Sequence, residues 1–334
     1  MIPLSVLDLC PIFEGGSAGE AFAASVALAR HAEALGFQRF WLAEHHAIPG
    51  IASAATSVVI GHVAAATKTI RVGAGGIMLP NHAPLVIAEQ FGTLEAMFPG
   101  RIDLGLGRAP GGDHATARAL RRTLVGGEDR FPQEVQELQS YLGWSDHPPA
   151  VRATPGEGSR VPLWILGSST FGAQLAAWLG LPYAFASHFA PGQVDEALRL
   201  YRSLFRPSEQ LDRPHAMVAV NVIAAPDDAE AGVLATSTMQ SFLNIRTGRP
   251  GLLPRPDPGL PGRLGPQEKA VLSQILEFSA IGGPATVAAQ LSRFIERTKP
   301  DELILAANIH DPALRLRSFS IAAEVMPGLP GGAA

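Results

Sequence analysis

The feature that most constrains the fold is the alternation of short apolar runs with longer helix-like segments along almost the whole chain. Eight apolar runs are predicted as strands, and nearly all are followed by a helix-like segment. The strands do not strictly alternate with polar residues, which is typical of a parallel sheet buried on both faces. Eight such units close most simply into an α/β (β/α)8 TIM barrel, with a doubly wound open sheet as the alternative.

The boundaries of the repeating units are readable in places. Ser17 and Glu20 have the spacing of a capping box, and Gly36 is placed to end the first helix. The rhythm is interrupted after the fourth and seventh strands, over residues 109–160 and 243–275, which we interpret as insertions or lid segments. The rest of the pattern predicts a single domain over residues 1–334.

Composition excludes several classes of function. Net charge is −4 and the basic residues are scattered, so neither a nucleic-acid surface nor a membrane surface is indicated. No apolar segment approaches the roughly 18 residues of a membrane helix. Cys10 is the only cysteine, which excludes an intrachain disulfide and favours a cytoplasmic protein. Cys10 follows an apolar strand and is interpreted as a small buried hydrophobe.

In a barrel of this type the active site lies on the loops after the carboxyl ends of the strands. Polar residues and glycines at those ends are therefore the candidates. They are Asp8, Glu44, His45, His46, Gly75, Gly76, Arg108, Ser168, Ser169, His188, Asn221 and His310.

Glu44, His45 and His46 stand together where the second strand ends. A metal site, a proton-transfer site and a plain loop are all open on the pattern alone. Because adjacent residues of a strand point to opposite faces, the two histidines share one metal only if the chain turns between them. No third metal ligand is evident, so we predict no metal.

Ser168 and Ser169 precede a predicted helix, directly after the fifth strand. Free backbone N–H groups, the helix dipole and two hydroxyls form an anion pocket, although a simple N-cap is the alternative. Arg108, at the end of another strand, adds a bidentate partner for a phosphate. Gly75 and Gly76 permit close approach to a flat ligand, or form a simple bulge. The segment GLGRAPGG lacks the spacing of a dinucleotide-binding fingerprint.

Three segments, in this order, resemble the bacterial luciferase-like family of flavin-dependent monooxygenases. They are GFQRFWLAEHH, RVGAGGIMLPNHAPLVIAEQFGTLEAMFPGRIDLGLGRAPG and GSSTFGAQLAAWLGLPYAFASHF. The resemblance implies a (β/α)8 barrel that uses reduced FMN and O2 to oxidise a small organic substrate, an aldehyde in the luciferases. The family also has members that use a deazaflavin for hydride transfer and members that bind flavin without catalysis.

The resemblance also implies roles for single residues. His45 matches a histidine near the reactive edge of the flavin, where it acts as an acid/base or as a hydrogen-bond partner of the oxygen intermediate. Gly75 and Gly76 match a pair joined by a cis peptide under the flavin ring. The phosphate grip is matched by Arg108, Ser168, Ser169 and the backbone of Gly172.

One departure from the luciferases concerns Gly107, which stands where luciferase has a cysteine beside the flavin. The chain therefore looks closer to the non-luminescent monooxygenases of the family. The resemblance further implies a homodimer and a separate flavin reductase as the source of reduced FMN. The organic substrate is not readable from the sequence.

Overall fold

Nine parallel β-strands run through the computed structural model, which describes residues 2–109, 116, 119–120, 130–144 and 150–331. Every pairing between strands in these residues is parallel. The strands are β1 (Leu4–Asp8), β2 (Arg39–Leu42), β3 (Arg71–Met78), β4 (Ile102–Gly107), β5 (Leu163–Gly167), β6 (Tyr183–Phe185), β7 (Ala216–Ala224), β8 (Ser279–Gly282) and β9 (Glu302–Ala306).

Eight of these strands close into a barrel. Around the ring the order is β1, β2, β3, β4, β5, β6, β7 and β9, and β9 pairs again with β1. The pairing of β6 with β7 leaves no open edge in this ring. The predicted (β/α)8 barrel is therefore confirmed, and the open doubly wound sheet is wrong.

The ninth strand, β8, lies outside the ring and was missed by the sequence analysis. β7 is long enough to pair twice, through Met217–Asn221 with β9 and through Asn221–Ala224 with β8. β8 has only four residues, Ser279–Gly282, which is too short to show a strand period.

Helices follow most strands and cover the outside of the barrel. They are α1 (Ala18–Ala34), α2 (Thr56–Ala66), α3 (Pro84–Met97), α4 (Phe131–Leu142), α5 (Thr170–Leu179), α6 (Val194–Leu204), α7 (Asp228–Arg246), α8 (Leu260–Arg263), α9 (Pro266–Ile275), α10 (Pro284–Thr298) and α11 (Pro312–Val325). Helix α1 begins with the predicted capping box, since Ser17 and Glu20 each accept the other's backbone N–H. Gly36 follows its end at φ +80°. No helix in the described residues is long and apolar enough to cross a bilayer.

The two predicted insertions differ in how much of them is described. In the first, residues 110–115, 117–118, 121–129 and 145–149 lie outside the described residues, and α4 is its main described element. In the second, the chain after α7 lies on the loop that follows β1. Leu253 donates its N–H to the carbonyl of Ile12 at 2.8 Å and accepts from Glu14 at 2.9 Å. The second segment therefore lies at the carboxyl end of β1, and its role as a lid stays a prediction.

The inside of the barrel is filled by its own side chains. Trp41 of β2 and Trp164 of β5 meet edge to face, with ring centroids 5.0 Å apart. The buried cluster around them consists of Leu7, Ala43, Ala184, Met217, Ala219, Ile304 and Ala306. Because this packing leaves no open channel through the ring, the two ends of the barrel are separate environments.

Buried charges close the amino end of the barrel. The Arg39 guanidinium lies between the carboxylates of Asp103 and Glu302, at 2.9 Å from each. Asp103 also accepts from the Trp41 indole at 3.1 Å and from Arg71 at 2.6 Å. A buried ion pair is retained only when its groups are well hydrogen-bonded, and these are. We call this set of five residues the floor, and the opposite, carboxyl end the mouth.

Candidate active site at the barrel mouth

The predicted site residues come from consecutive strands of the ring. His45 follows β2, Gly75 and Gly76 lie within β3, Arg108 follows β4, and Ser168 and Ser169 follow β5. Because all of these strands are parallel neighbours, the residues gather along one side of the mouth.

The two glycines of β3 form the centre of this side. The peptide bond between Gly75 and Gly76 is cis, as the resemblance implies. The pairing register of β3 with β4 shifts between Ala74 and Ile77, on either side of the glycines. A β-carbon on Gly76 would lie 2.8 Å from the carbonyl oxygen of Gly105, so no larger residue fits without a shift of the backbone. The glycines thus bring β3 very close to β4 at the mouth.

Arg108 lies at the carboxyl end of β4. Its guanidinium carbon is 4.1 Å from the centre of the Phe171 ring, a cation–π contact. Within the described residues it makes no ion pair with a carboxylate. Since Phe171 is in the first turn of α5, the stack holds the guanidinium beside the amino end of that helix.

The serines at the start of α5 are not used to cap it. Ser169 occupies the N-cap position in extended geometry, with φ −141° and ψ 168°, yet its side chain makes no capping hydrogen bond. Tyr183 instead donates its hydroxyl to the Ser169 carbonyl at 3.1 Å and so fixes the turn. Gly172 lets the helix pack closely, since a β-carbon there would lie 3.4 Å from the Tyr183 ring. The two hydroxyls, the helix amino end and Arg108 together can hold a phosphate.

His45 has a buried ring nitrogen without a partner. Its Nδ1 is out of contact with solvent and makes no hydrogen bond. Burial lowers the pKa of His45, against the opposing effect of Glu44 and with a further lowering from His46. The ring is therefore neutral near pH 7, with one N–H to donate and one lone pair to accept a hydrogen bond.

Glu44 points into a different set of contacts from His45. Its buried carboxylate accepts from the Met78 N–H at 3.0 Å, and lies 2.6 Å from His46 Nε2 and 2.9 Å from His82 Nε2. Burial acts to raise the pKa of Glu44, but the hydrogen bond and charge of His82 and the contacts of His46 and Met78 outweigh it and lower the pKa. Glu44 therefore orients His46 and His82, and it also ties β2 to the end of β3.

These three side chains are close enough to be considered as metal ligands, because their ligand atoms lie within 4.8 Å of one another. His82, which lies beyond β3, was not among the residues predicted from the sequence. However, bonds of about 2.0–2.1 Å hold two ligands of a tetrahedral zinc ion about 3.3 Å apart. The shorter separations of 2.6 and 2.9 Å are those of hydrogen bonds, so the three groups satisfy one another. We assign no metal to them.

His188 is a second histidine with an unpartnered ring, on the far side of the mouth. It follows β6, and its Nδ1 is buried without a hydrogen bond. Burial lowers the pKa of His188 to about 4, with a further lowering from a charge on His45. Asn221 of β7 donates its side-chain amide to the His188 carbonyl at 2.6 Å, and the ring packs edge-on against Phe189 with centroids 4.9 Å apart.

Two other candidates, Asp8 and His310, belong to the framework and not to the site, as does Cys10. Asp8 is buried and accepts from the Cys10 N–H and from Arg315 at 2.8 Å, which ties β1 to α11. Cys10 is fully buried, and burial raises its pKa to about 12, in agreement with its interpretation as a small hydrophobe. His310 lies 3.0 Å from the Glu14 carbonyl and packs on Phe13.

A pocket opens between the loops after β1 and β2 and the segment after α7. Its described lining carries no charged side chain. The lining residues are Leu9, Pro11, Ile48, Gly50, Ile51, Ser241, Asn244, Ile245, Pro250, Gly251, Leu252, Leu253 and Asn308. In the ring, β9 and β1 stand opposite β4 and β5, so the pocket lies across the mouth from Arg108 and Ser169.

Comparison with known proteins gives one family for the chain. The family model described as luciferase-like monooxygenase matches residues 2–301. A relative from Escherichia coli (strain K12) named luciferase-like monooxygenase is 52% identical over 330 residues, covering 99% of this chain and 98% of the relative. The solved structure of apo-MsnO8 is 35% identical, covers 99% of this chain and 100% of that chain, and superposes with a TM-score of 0.92.

Two further similarities concern substrate and cofactor. The N-acetyl-S-alkylcysteine monooxygenase of Bacillus subtilis is 35% identical over 251 residues, covering 73% of this chain and 74% of the relative. A type II Baeyer–Villiger monooxygenase of Pseudomonas putida, solved in complex with FMN, covers 100% of both chains with a TM-score of 0.74. At 18% identity, that structure shows the fold alone.

Proposed function

The chain belongs to the luciferase-like flavin-dependent monooxygenase family, and from this premise we propose that it uses reduced FMN and O2 to oxidise a small uncharged organic substrate. One oxygen atom enters the substrate and the other leaves as water. The observation that carries the proposal is the buried, unpartnered ring nitrogen of His45 beside the cis Gly75–Gly76 peptide.

The residues at the mouth fit FMN. Arg108 carries a charge that no carboxylate in the described residues neutralises, and the Ser169 hydroxyl is not used by its own helix. A phosphate would satisfy both, together with Ser168 and the backbone at Gly172. The glycine pair would then lie against the flat ring system, in a backbone arrangement that β-carbons would prevent by meeting Leu7 and the Gly105 carbonyl.

Bound there, reduced FMN supplies the two electrons that O2 needs before one of its atoms can be inserted. The protein supplies the proton handling. Because the His45 ring is neutral near pH 7, its Nδ1 can offer an N–H or a lone pair, and burial makes any proton that the ring takes up easy to give back. Glu44 does not take part directly, since its carboxylate is engaged by His46, His82 and Met78.

The pocket, although only about 70 Å³ in volume, favours an uncharged group at this edge of the mouth. The side chains that line it in the described residues are apolar or offer hydroxyl and amide groups, as at Ser241, Asn244 and Asn308. A carboxylate buried there would lack a cationic partner, which is costly. Thioethers are suitable first substrates because one relative is named for them, and we expect an uncharged alkyl thioether to be preferred over an N-acetyl-S-alkylcysteine.

The function is tested by supplying the purified protein with photoreduced FMN, so that no reductase partner has to be known. Oxidised product must appear in air and not under argon, and its added oxygen must come from 18O2 in a mass spectrum. Reduced deazaflavin is assayed in parallel, because members of the family use FMN or F420. Oxygen-independent turnover with deazaflavin would refute the monooxygenase proposal.

A control separates an enzyme from a non-catalytic flavin-binding homologue. FMN binding is measured by quenching of flavin fluorescence, independently of turnover. Tight FMN binding without oxidation of any aldehyde, ketone or thioether in a broad panel would favour the non-catalytic role. If turnover occurs, adding an NADH-dependent flavin reductase tests the proposed partner, since the reductase then replaces photoreduction.

A further inference from the structure

Two histidines at the mouth have a ring Nδ1 without a hydrogen-bond partner, and the proposed function uses only that of His45. Among the buried side-chain atoms of the described residues, the Nδ1 atoms of His45 and His188 both lack a partner. An unsatisfied buried polar atom costs roughly 1–3 kcal/mol, so a native protein normally keeps one only for a ligand or a water. Such a pair points to a ligand that the two rings share.

The topology of the ring places these side chains across the mouth from each other. β2 and β6 are four positions apart in a ring of eight strands, so His45 and His188 approach the centre from opposite sides. In agreement with this arrangement, a charge on His45 lowers the pKa of His188. His188 is also held in place, by the Asn221 amide on its carbonyl and by Phe189 against its ring.

We propose that His188 is a second active-site residue, and that His188 and His45 hold one uncharged O–H group between their rings. The proposal rests on the oxygenase function proposed above. A neutral imidazole has one donor and one acceptor, so two facing rings suit a group that both donates and accepts a hydrogen bond. A carboxylate or an ammonium could bond to both rings in suitable tautomers, but both rings are neutral near pH 7, so a buried ion between them would lack a partner of opposite charge.

The O–H group can belong to the organic substrate or to partly reduced oxygen, and the two sources have different consequences. In the coupled reaction, the substrate, O2 and reduced FMN give the oxygenated product, oxidised FMN and water. Without coupling, O2 and reduced FMN give hydrogen peroxide and oxidised FMN, with the two hydrogens of the flavin on the peroxide. A variant that no longer binds the partly reduced oxygen therefore releases a larger fraction of the O2 as peroxide.

The first test compares His45→Phe, His188→Phe and the double variant, with His310→Phe as the matched control. His310 is also a histidine after a strand, but its ring contacts the Glu14 carbonyl and Phe13. If the shared O–H group belongs to partly reduced oxygen, each single variant raises the peroxide fraction several-fold with or without substrate. The double variant then has a peroxide fraction no higher than that of the worse single variant. If the shared O–H group belongs to the substrate, each single variant raises KM, and the double variant raises it no further than the worse single variant. The peroxide fraction without substrate is then unchanged.

His188→Gln guards against a simple packing defect, because it keeps a donor and an acceptor and should retain more coupling than His188→Phe. FMN affinity should be unchanged in all variants that fold, and thermal unfolding should not move to lower temperature. Wild-type coupling and KM for His188→Phe, or effects that multiply in the double variant, would overturn the shared-ligand proposal. Absence of oxygen-dependent turnover in the wild-type protein would instead refute the proposed function.

A second test does not depend on turnover. In FMN-loaded protein labelled with 15N-histidine, the ring nitrogens are assigned from the single variants and followed while 1-butanol is added. The alcohol should shift the ring signals of both His45 and His188, whereas butyl methyl ether, which cannot donate, should not shift both. Equal responses to alcohol and ether, or a response of one ring alone, would contradict the shared O–H group.

Discussion

Glu44 and His45 are neighbours in the chain, but their side chains belong to different parts of the molecule. The Glu44 carboxylate joins β2 to β3 through Met78 and to His46 and His82. His45 has no hydrogen-bond partner at Nδ1. His45 and His46 lie beyond the end of β2, so the turn of the chain there, and not strand alternation, directs their side chains. His82 was not predicted from the sequence, whereas His188 was a candidate whose position across the mouth only the closed ring gives.

The first prediction concerns His45→Ala. We expect the oxidation rate to fall by at least about tenfold while FMN still binds, because the variant removes the proton-handling ring and leaves the phosphate grip intact. Turnover and flavin-fluorescence titration measure the two quantities separately. Unchanged turnover would refute a catalytic role, and a loss of FMN binding would show that the ring holds the cofactor.

The second prediction concerns acid stability. The pKa of His188 is about 4 in the folded protein, below its ordinary value of 6.5. Between these pH values the unfolded chain binds a proton that the folded chain does not, so stability is lost as pH falls from 6.5 to 4, by roughly 3 kcal/mol for this group. The lowered pKa of His45 acts in the same direction.

Urea unfolding of the FMN-free protein at pH 7 and pH 4.5 measures this loss. His188→Phe, which cannot bind the proton in either state, should lose clearly less stability between the two pH values than the wild type. The same pH dependence in both proteins would show that another group is responsible.

At the scale of elements, helices and strands with a clear hydrophobic period were predicted from the sequence. Short elements, and those defined by pairing with another strand, were not. The capping box of α1 and its end at Gly36 follow from local residue chemistry and are confirmed. β8 was missed because Ser279–Gly282 is defined by pairing with the far half of β7 and not by its own pattern. The start of α5 was left open between a cap and an anion pocket, and only the unused Ser169 hydroxyl distinguishes them.

The third prediction compares two N-cap serines. Ser17→Ala should cost about 1 kcal/mol of stability, because that hydroxyl accepts the Glu20 N–H, and should leave FMN affinity unchanged. Ser169→Ala should leave stability nearly unchanged and weaken FMN binding roughly tenfold, the effect of one hydrogen bond to a charged group. Arg108→Ala should weaken FMN binding more than Ser169→Ala does.

Chemical denaturation and FMN titration of the three variants provide the measurements. A stability loss in Ser169→Ala as large as in Ser17→Ala would show that Ser169 is an ordinary cap. An Arg108→Ala variant with wild-type affinity would count against the phosphate grip.

At the scale of the whole molecule, two helices that contact each other both expose apolar side chains. Helices α2 and α3 expose Val58, Val86 and Met97, with 72%, 43% and 56% of their surfaces accessible. Exposed apolar residues on neighbouring helices favour an interaction surface. We propose that α2 and α3 form the interface of the expected homodimer.

The fourth prediction follows from this proposal. Val58→Lys should shift the protein from dimer to monomer in size-exclusion chromatography with light scattering, because a lysine would be buried without a partner. Leu204→Lys is the control, since Leu204 is 48% exposed on a different helix, α6. A monomeric wild type, or a Val58→Lys variant that stays dimeric, would contradict the proposed interface.

The floor also determines which residues of the molecule tolerate substitution. Arg39, Asp103 and Glu302 hold the strands together at the amino end, away from the pocket that is lined by Ile48, Ser241 and other loop residues. A combinatorial library at the pocket should therefore yield mostly folded proteins from which altered substrate preferences can be selected. The same number of substitutions at the floor should yield mostly insoluble protein, because each would leave a buried charge unpaired. The barrel thus separates the residues that preserve its shape from those through which its substrate preference can evolve.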